Sequence, residues 1–316
     1  MPRIDDLTPH LDPELREPFS VLPAVDLARI TDFAAVRAAR RIRRTPAPDG
    51  VSIVDGEVPG AAGDPDVPVR VYRPTNAGGP ANVLVWIHGG GFVFGDVDAN
   101  DPICIGWVKE TGCSVVSVEY RLAPEHPFPA APNDCYAALE WVATGPDALG
   151  GIPAKVAVGG ASAGGCIAAA VVLMARDRNG PAICHQHLLI PVIDDRLETP
   201  SAQRIHDPRV WNRANADAAW RLYLGPTHTG TPSPYAAPGR AEDLSGLPPA
   251  TVLVEEMDLL RDEAVAYAGR LTAAGVRCEL HVYPGTFHGH MAFVPGAAIS
   301  RRSIRDFIDA VGRSFA

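Results

Sequence analysis

Residues 156–165 read VAVGGASAGG. Val156 to Val158 begin a short apolar strand, and the following AGGCIAAAVVLMARDRNG reads as a buried helix closed by glycine. Between the two elements stands Ser162, in the pattern G-x-S-x-G with Gly160 and Gly164 on either side. A strand that turns sharply into a helix lifts the intervening side chain clear of the sheet. Small flanking residues let the backbone turn without clashes, and the helix N-terminus favours negative charge developing above it. The five-residue pattern alone is a weak signal. The strand before it and the helix after it make Ser162 a candidate nucleophile.

Outward from this stretch, strands and helices alternate. NVLVWIHG, SVVSVEYRL, HQHLLIPVID, ATVLVEEMD and CELHVYPG read as strands, while DPICIGWVKETG and APNDCYAALEWVATG read as helices. Ahead of them, VSIVDGEVPG and VPVRVYRP read as an antiparallel pair joined by a Gly/Pro-rich turn. Near-continuous Val/Ile/Leu strands are buried on both faces. Alternation with helices then gives a mostly parallel sheet of eight strands flanked by helices, an α/β class.

Two segments fall outside that alternation. Residues 195–249 are too long for a crossover and carry a helical stretch, NRANADAAWRLYLG, among Pro-rich loops. They read as an inserted helical cap. Residues 1–45 carry DLARITDFAAVRAARRIRR, with Leu27, Ile30, Phe33 and Val36 at three-to-four spacing. That amphipathic helix is expected to complete the cap, with Phe33 and neighbouring residues against the helix at 210–224. The division is therefore 1–45, an N-terminal helical part of the cap, and 46–316, a catalytic domain with the cap insertion at about 195–249.

A serine is a poor nucleophile without a base held by a third group. In a sheet of this kind the order is serine, then a carboxylate, then histidine. Asp258 ends ATVLVEEMD and His288 follows the last strand in YPGTFHGH. Both fall at C-terminal strand ends, the edge where α/β sheets place their sites. Asp262 and Glu263 read as solvated or capping carboxylates, and Glu255 and Glu256 as strand residues that face the wrong way or come too early. His290 is a rival to His288. His185 and His187 share a strand face but lack a third ligand, so no metal is expected. The run HGGGFVFGD after the third strand answers a different need. Acyl transfer creates an oxyanion, and backbone N–H donors must approach it unobstructed. Gly89 and Gly90 are the expected donors from this loop and Ala163 the third, with His88 as an anchor for the loop.

HGGGFVFGD, EYRLAPEHPFPAAPNDC, GGASAGG, DLLRDEA and FHGH occur in one order over roughly residues 50–316. In these motifs the chain resembles the hormone-sensitive-lipase-like esterases of the α/β-hydrolase superfamily. The resemblance implies the α/β-hydrolase fold with a helical cap. It also implies a triad of Ser162, Asp258 and His288 and an oxyanion hole at Gly89, Gly90 and Ala163. The chain departs from the family pattern at Ala161, Glu119, Leu259 and His290, where Asp or Thr, Asp, Pro and an aromatic residue are usual. Within YRLAPEHPFPA, Arg121 and Glu125 are expected to pair as scaffold.

A net charge of −9 over 316 residues argues against wholesale nucleic-acid binding. No apolar run approaches a membrane span. Six scattered cysteines without a CxxC pair read as buried free thiols. With no signal-peptide pattern, the expectation is a cytoplasmic enzyme without cofactor. The function expected is a serine carboxylic-ester hydrolase acting on short- to medium-chain acyl esters through an acyl-enzyme intermediate. Two alternatives use the same fold: an amidase or deacetylase of a small metabolite, and a non-catalytic binding protein. The presence of all three triad residues counts against the second. The partner expected is a small-molecule ester, and CELHVYPG is an edge strand able to pair with a second copy as a homodimer.

Overall fold

The computed structural model describes residues 3–76, 79 and 81–316, so Met1 and Pro2 of the 1–45 segment lie outside it. In chain order the elements are α1 (Pro13–Ser20), α2 (Phe33–Arg40), β1 (Val51–Val58), β2 (Val67–Pro74), β3 (Val83–Ile87), α3 (Val97–Thr111), β4 (Ser114–Val118) and α4 (Ala130–Ala143). There follow β5 (Val156–Ala161), α5 (Ala163–Asp177), β6 (His185–Leu189), α6 (Pro200–Arg204), α7 (Arg213–Leu224), β7 (Ala250–Glu255), α8 (Arg261–Ala273), β8 (Cys278–Tyr283), α9 (His290–Phe293) and α10 (Ala298–Ser314). The eight expected strands form one sheet in the order β1-β2-β4-β3-β5-β6-β7-β8. β2 runs antiparallel to both β1 and β4, and every other pairing is parallel.

Strand alternation sorts the apolar residues into two cores. Val83, Val85 and Ile87 of β3 join the core shared with α4, α5 and α8. Leu84 and Trp86 join the one shared with α3 and α10. There Trp86 meets the edge of Trp107 at 4.4 Å and Phe307 at 6.0 Å, and its Nε1–H donates to Asn100 at 2.9 Å. Burial on both faces is why these strands carry no polar alternation. The parallel strands also deliver Ile87, Ala161, Glu255 and Tyr283 to one edge, and the loops that leave that edge build the site.

The N-terminal segment differs from the single long helix expected. Asp26 caps a 3-10 turn, Leu27–Arg29, by accepting from the Ala28 N–H. Asp32 then caps α2 afresh by accepting from the Ala35 N–H. Two short acidic caps six residues apart restart the backbone, and Ile30 between them is extended. Phe33 packs on the loop after β3. Its ring meets Phe94 at 5.7 Å, and Arg37, one turn on, donates to the Val93 carbonyl at 2.9 Å. The contact with α7 is made by Leu27, whose N–H donates to Asn215 Oδ1 at 2.9 Å.

The same segment is laced to the 195–249 region along its length. Ile4 bridges Ile205 in parallel, the Leu7 N–H donates to Asp207 at 2.9 Å, and Asn215 Nδ2 donates to the Val25 carbonyl at 2.9 Å. The Pro-rich loop after β4 is pinned otherwise than expected. Arg121 pairs with Asp134 at 2.6 Å and with Asp64 at 3.0 Å, while Glu125 takes Arg37 of α2. At the far edge, β8 leaves Leu280 and Val282 exposed.

Asn215 is buried and holds Val25 and Leu27 at once. Asn215→Ala should therefore cost about 1–3 kcal/mol by leaving buried backbone groups unpaired. Limited proteolysis should show cleavage within the first 30 residues at a protease level that leaves the wild-type chain intact.

Candidate active site

Ser162 sits between β5 and α5 at φ 54° and ψ −116°, a region that residues with a Cβ rarely occupy. Its surroundings over-determine that conformation. The Ser162 N–H donates to the Leu189 carbonyl at 2.8 Å, and its own carbonyl accepts from Cys166 at 3.1 Å and Val192 at 3.0 Å. The flanking glycines are required by space. A Cβ on Gly160 would stand 2.2 Å from the Gly164 carbonyl oxygen, and one on Gly164 would stand 2.1 Å from that of Ile87. The turn and the end of β3 are in backbone contact.

The three expected side chains meet. Ser162 Oγ lies 3.0 Å from His288 Nε2, and His288 Nδ1 lies 2.6 Å from Asp258 Oδ2. Asp258 is buried, and its second oxygen accepts from the Leu260 N–H at 3.1 Å. A carboxylate facing Nδ1 fixes the proton there and leaves Nε2 free to accept from the serine hydroxyl. Burial opposes a charge on His288. The Asp258 carboxylate overcomes it through its charge and its hydrogen bond, with Glu255 adding to the same effect, so the imidazole is raised above its ordinary value.

The glycine loop lies against this turn. A Cβ on Gly89 would stand 2.9 Å from the Ala161 carbonyl oxygen and 3.4 Å from Ser162 Cβ. Ala163 is fully buried at the first turn of α5. His88 does anchor the loop: its Nδ1–H donates to the Gly89 carbonyl at 2.8 Å and its ring stacks on Tyr120 at 4.3 Å. Complete burial lowers it to about 4, so it stays neutral. From above, Trp211 leaves no room for a side chain on Gly91, and its ring stands 6.3 Å from that of His288. Phe92 stacks on Tyr223 of α7 at 4.0 Å.

The rivals are occupied elsewhere. Asp262 accepts from the Ser201 N–H at 2.7 Å, which ties α8 to α6. Glu263 accepts from the N–H groups of Ile193 and Asp194 and holds the loop after β6. Glu256 accepts from Gly285 at 2.7 Å. His185 and His187 stack at the opposite end of β6 and reach Thr251 and Ser314. Glu255 is a correction. Far from facing away, it accepts from the Gly289 N–H at 2.9 Å and pairs with His290 at 2.6 Å, directly behind His288. Among the described residues, Glu255, Asp258 and His288 are also the three acidic and imidazole groups close enough together to share a cation, and hydrogen bonds within the site already engage all three. The sequence signal for Glu255 was His290, a departure from the family pattern 35 residues further on. Trp211 carried no sequence signal.

An eight-stranded sheet of this order, with a serine at the turn out of its fifth strand, is the α/β-hydrolase architecture. A family model described as alpha/beta hydrolase fold matches residues 84–292. The chain is 39% identical to carboxylesterase NlhH of Mycobacterium tuberculosis over 297 residues, covering 92% of each protein. It is 38% identical to esterase LipI of the same species over 308 residues, covering 94% of this chain and 95% of that one. Among solved structures, a bacterial heroin esterase superposes with a TM-score of 0.91 at 44% identity, covering 98% of this chain and all of the other. The chain belongs to the hormone-sensitive-lipase-like carboxylesterases of the α/β-hydrolase superfamily, and it is a carboxylic-ester hydrolase. Small-molecule esters are its class of substrate. Among the described residues no helix is long and apolar enough to cross a membrane.

Because Asp258 supplies the main opposition to burial, the His288 ring should titrate above the ordinary imidazole value of about 6.5. In Asp258→Asn that support is gone and the titration should move to lower pH. Histidine-resolved NMR titration of both proteins measures the two values and their order.

Proposed function

We propose that Ser162 attacks the ester carbonyl, with His288 as general base and then general acid and Asp258 as the group that orients it. The observation that carries this reading is the unbroken chain from Ser162 Oγ through His288 to buried Asp258, at 3.0 and 2.6 Å. His288 Nε2 takes the hydroxyl proton as Oγ bonds to the carbonyl carbon. The tetrahedral intermediate places its oxyanion among the N–H groups of Gly89, Gly90 and Ala163. The Gly89 approach to Ala161 and Ser162 supports that assignment. His288 next gives the proton to the leaving alcohol, and the C–O bond breaks to leave an acyl-serine. Water, activated by the same imidazole, then releases the acid.

Residues 1–45 and about 195–249 act together as a helical cap. Their mutual hydrogen bonds from Ile4 to Asn215 support this, as do Trp211 and Tyr223 over the glycine loop. Such a cap encloses an apolar acyl pocket of limited length, suited to short- and medium-chain esters. Six free thiols suit a reducing, cytoplasmic setting. The open edge of β8, with Leu280 and Val282 outward, supports a homodimer paired along that edge.

Ser162→Ala should lower kcat on the order of a millionfold, as nucleophile removal does in serine hydrolases. Asp258→Asn should cost about 10⁴-fold, and Asp262→Asn little. Equal losses at 258 and 262, or the reverse order, would reassign the acid. Across an acyl series, each buried methylene contributes about 0.8 kcal/mol until the pocket is full. So kcat/KM should rise from acetate towards butyrate or hexanoate and fall beyond. Faster turnover of emulsified long-chain triglyceride would contradict the closed pocket.

A further inference from the structure

Behind His288 lies a second histidine–carboxylate pair that the reaction just described does not use. Glu255 ends β7 and His290 opens α9, and both are buried. One Glu255 oxygen bonds His290 Nδ1 at 2.6 Å, and the other accepts from the Gly289 N–H at 2.9 Å. A single carboxylate thus grips the chain at the two positions that follow His288.

The far side of His290 favours one arrangement of the protons. His290 Nε2 lies 3.4 Å from Ser303 Oγ on α10, and the Ser303 hydroxyl already donates to the Ile299 carbonyl at 2.9 Å. With that hydroxyl proton engaged, Ser303 Oγ offers Nε2 an acceptor, which fits a proton on Nε2. A further proton lies between Nδ1 and Glu255, so the pair as a whole is neutral. Its carboxylate end faces the catalytic group: one polar atom each of Glu255, Asp258 and His288 falls within 4.8 Å of the others. Two unbalanced carboxylates at that spacing would repel. The proton held by His290 removes the conflict. The charged or titratable groups acting on Glu255 are His290, His288 and Asp258, while α10 presents Ser303 and Phe287 packs edge-on to the His290 ring. Burial raises Glu255 above the ordinary carboxylate value, in line with a proton shared across the pair.

We propose that Glu255 and His290 are positioning residues for ester hydrolysis: they lock the His288 loop through the Gly289 amide and turn the negative end of a neutral pair towards His288, favouring the imidazolium formed during acyl transfer. The proposal rests on the assignment of Ser162, Asp258 and His288 made above. Neither residue touches the reacting atoms.

The test combines one measurement on the unaltered enzyme with one variant. In ¹⁵N-histidine NMR near neutral pH, His290 Nε2 should appear protonated. A bare, accepting Nε2 would overturn the neutral pair, and this result stands whether or not any variant folds. In Glu255→Gln the negative end is lost. The acid limb of kcat/KM should then move to lower pH, and kcat should fall about tenfold, the equivalent of one pKa unit of lost imidazolium stabilisation, with KM little changed. Rates are scored per active site titrated with a 4-nitrophenyl organophosphate. An acid limb that stays in place, with active sites still titrating, would reduce the pair to a structural role. Failure of the wild-type enzyme to titrate would instead count against the Ser162 assignment.

Discussion

The structure depends on one contact between backbones. Gly164, in the first turn of α5, lies so close to the Ile87 carbonyl that no Cβ fits between them. This contact seats the turn carrying Ser162 against the end of β3, and so places the HGGG loop beside the serine hydroxyl. It holds because β3 and β5 are adjacent parallel strands in register, Ile87 opposite Gly160. Strand pairing thus sets the distance, and glycine keeps the space open. The strained φ of Ser162 is tolerated because its N–H and carbonyl are both satisfied by β6 and its following loop, and by α5.

From that fixed point the electrostatics follow by reach. β7 and β8 lie beyond β6, and their C-terminal loops bring Asp258 and His288 back to Ser162. A buried carboxylate would be costly alone. Here Asp258 is satisfied by His288 and the Leu260 N–H, and Glu255 by His290 and the Gly289 N–H. Two acids share a small buried volume because each faces its own imidazole.

The sheet was legible in the sequence because its strands are runs such as VLVWI and SVVSV, buried on both faces, which leave little ambiguity of type. Ser162, Asp258 and His288 were legible because each stands one to five residues past a strand end. What escaped was set by side chains acting across distance. Asp26 and Asp32 divide an apparently continuous amphipathic pattern into separate turns, so Leu27 bonds to α7 while the Phe33 ring meets Phe94. Arg121 passes over Glu125 for Asp134, which is buried and needs a cation. Strand alternation says which face a residue takes, but at the last position of a strand the carboxylate reaches the neighbouring loop instead, as Glu255 does.

The central claim is that this geometry makes Ser162 the acyl-accepting nucleophile. Inactivation with a 4-nitrophenyl organophosphate, followed by peptide mapping in a mass spectrometer, tests it most directly, because the adduct outlasts the analysis. The account predicts one phosphoryl group per chain, on the peptide carrying Ser162, with activity lost in step with its formation. Complete inactivation with the label on any other residue would contradict it.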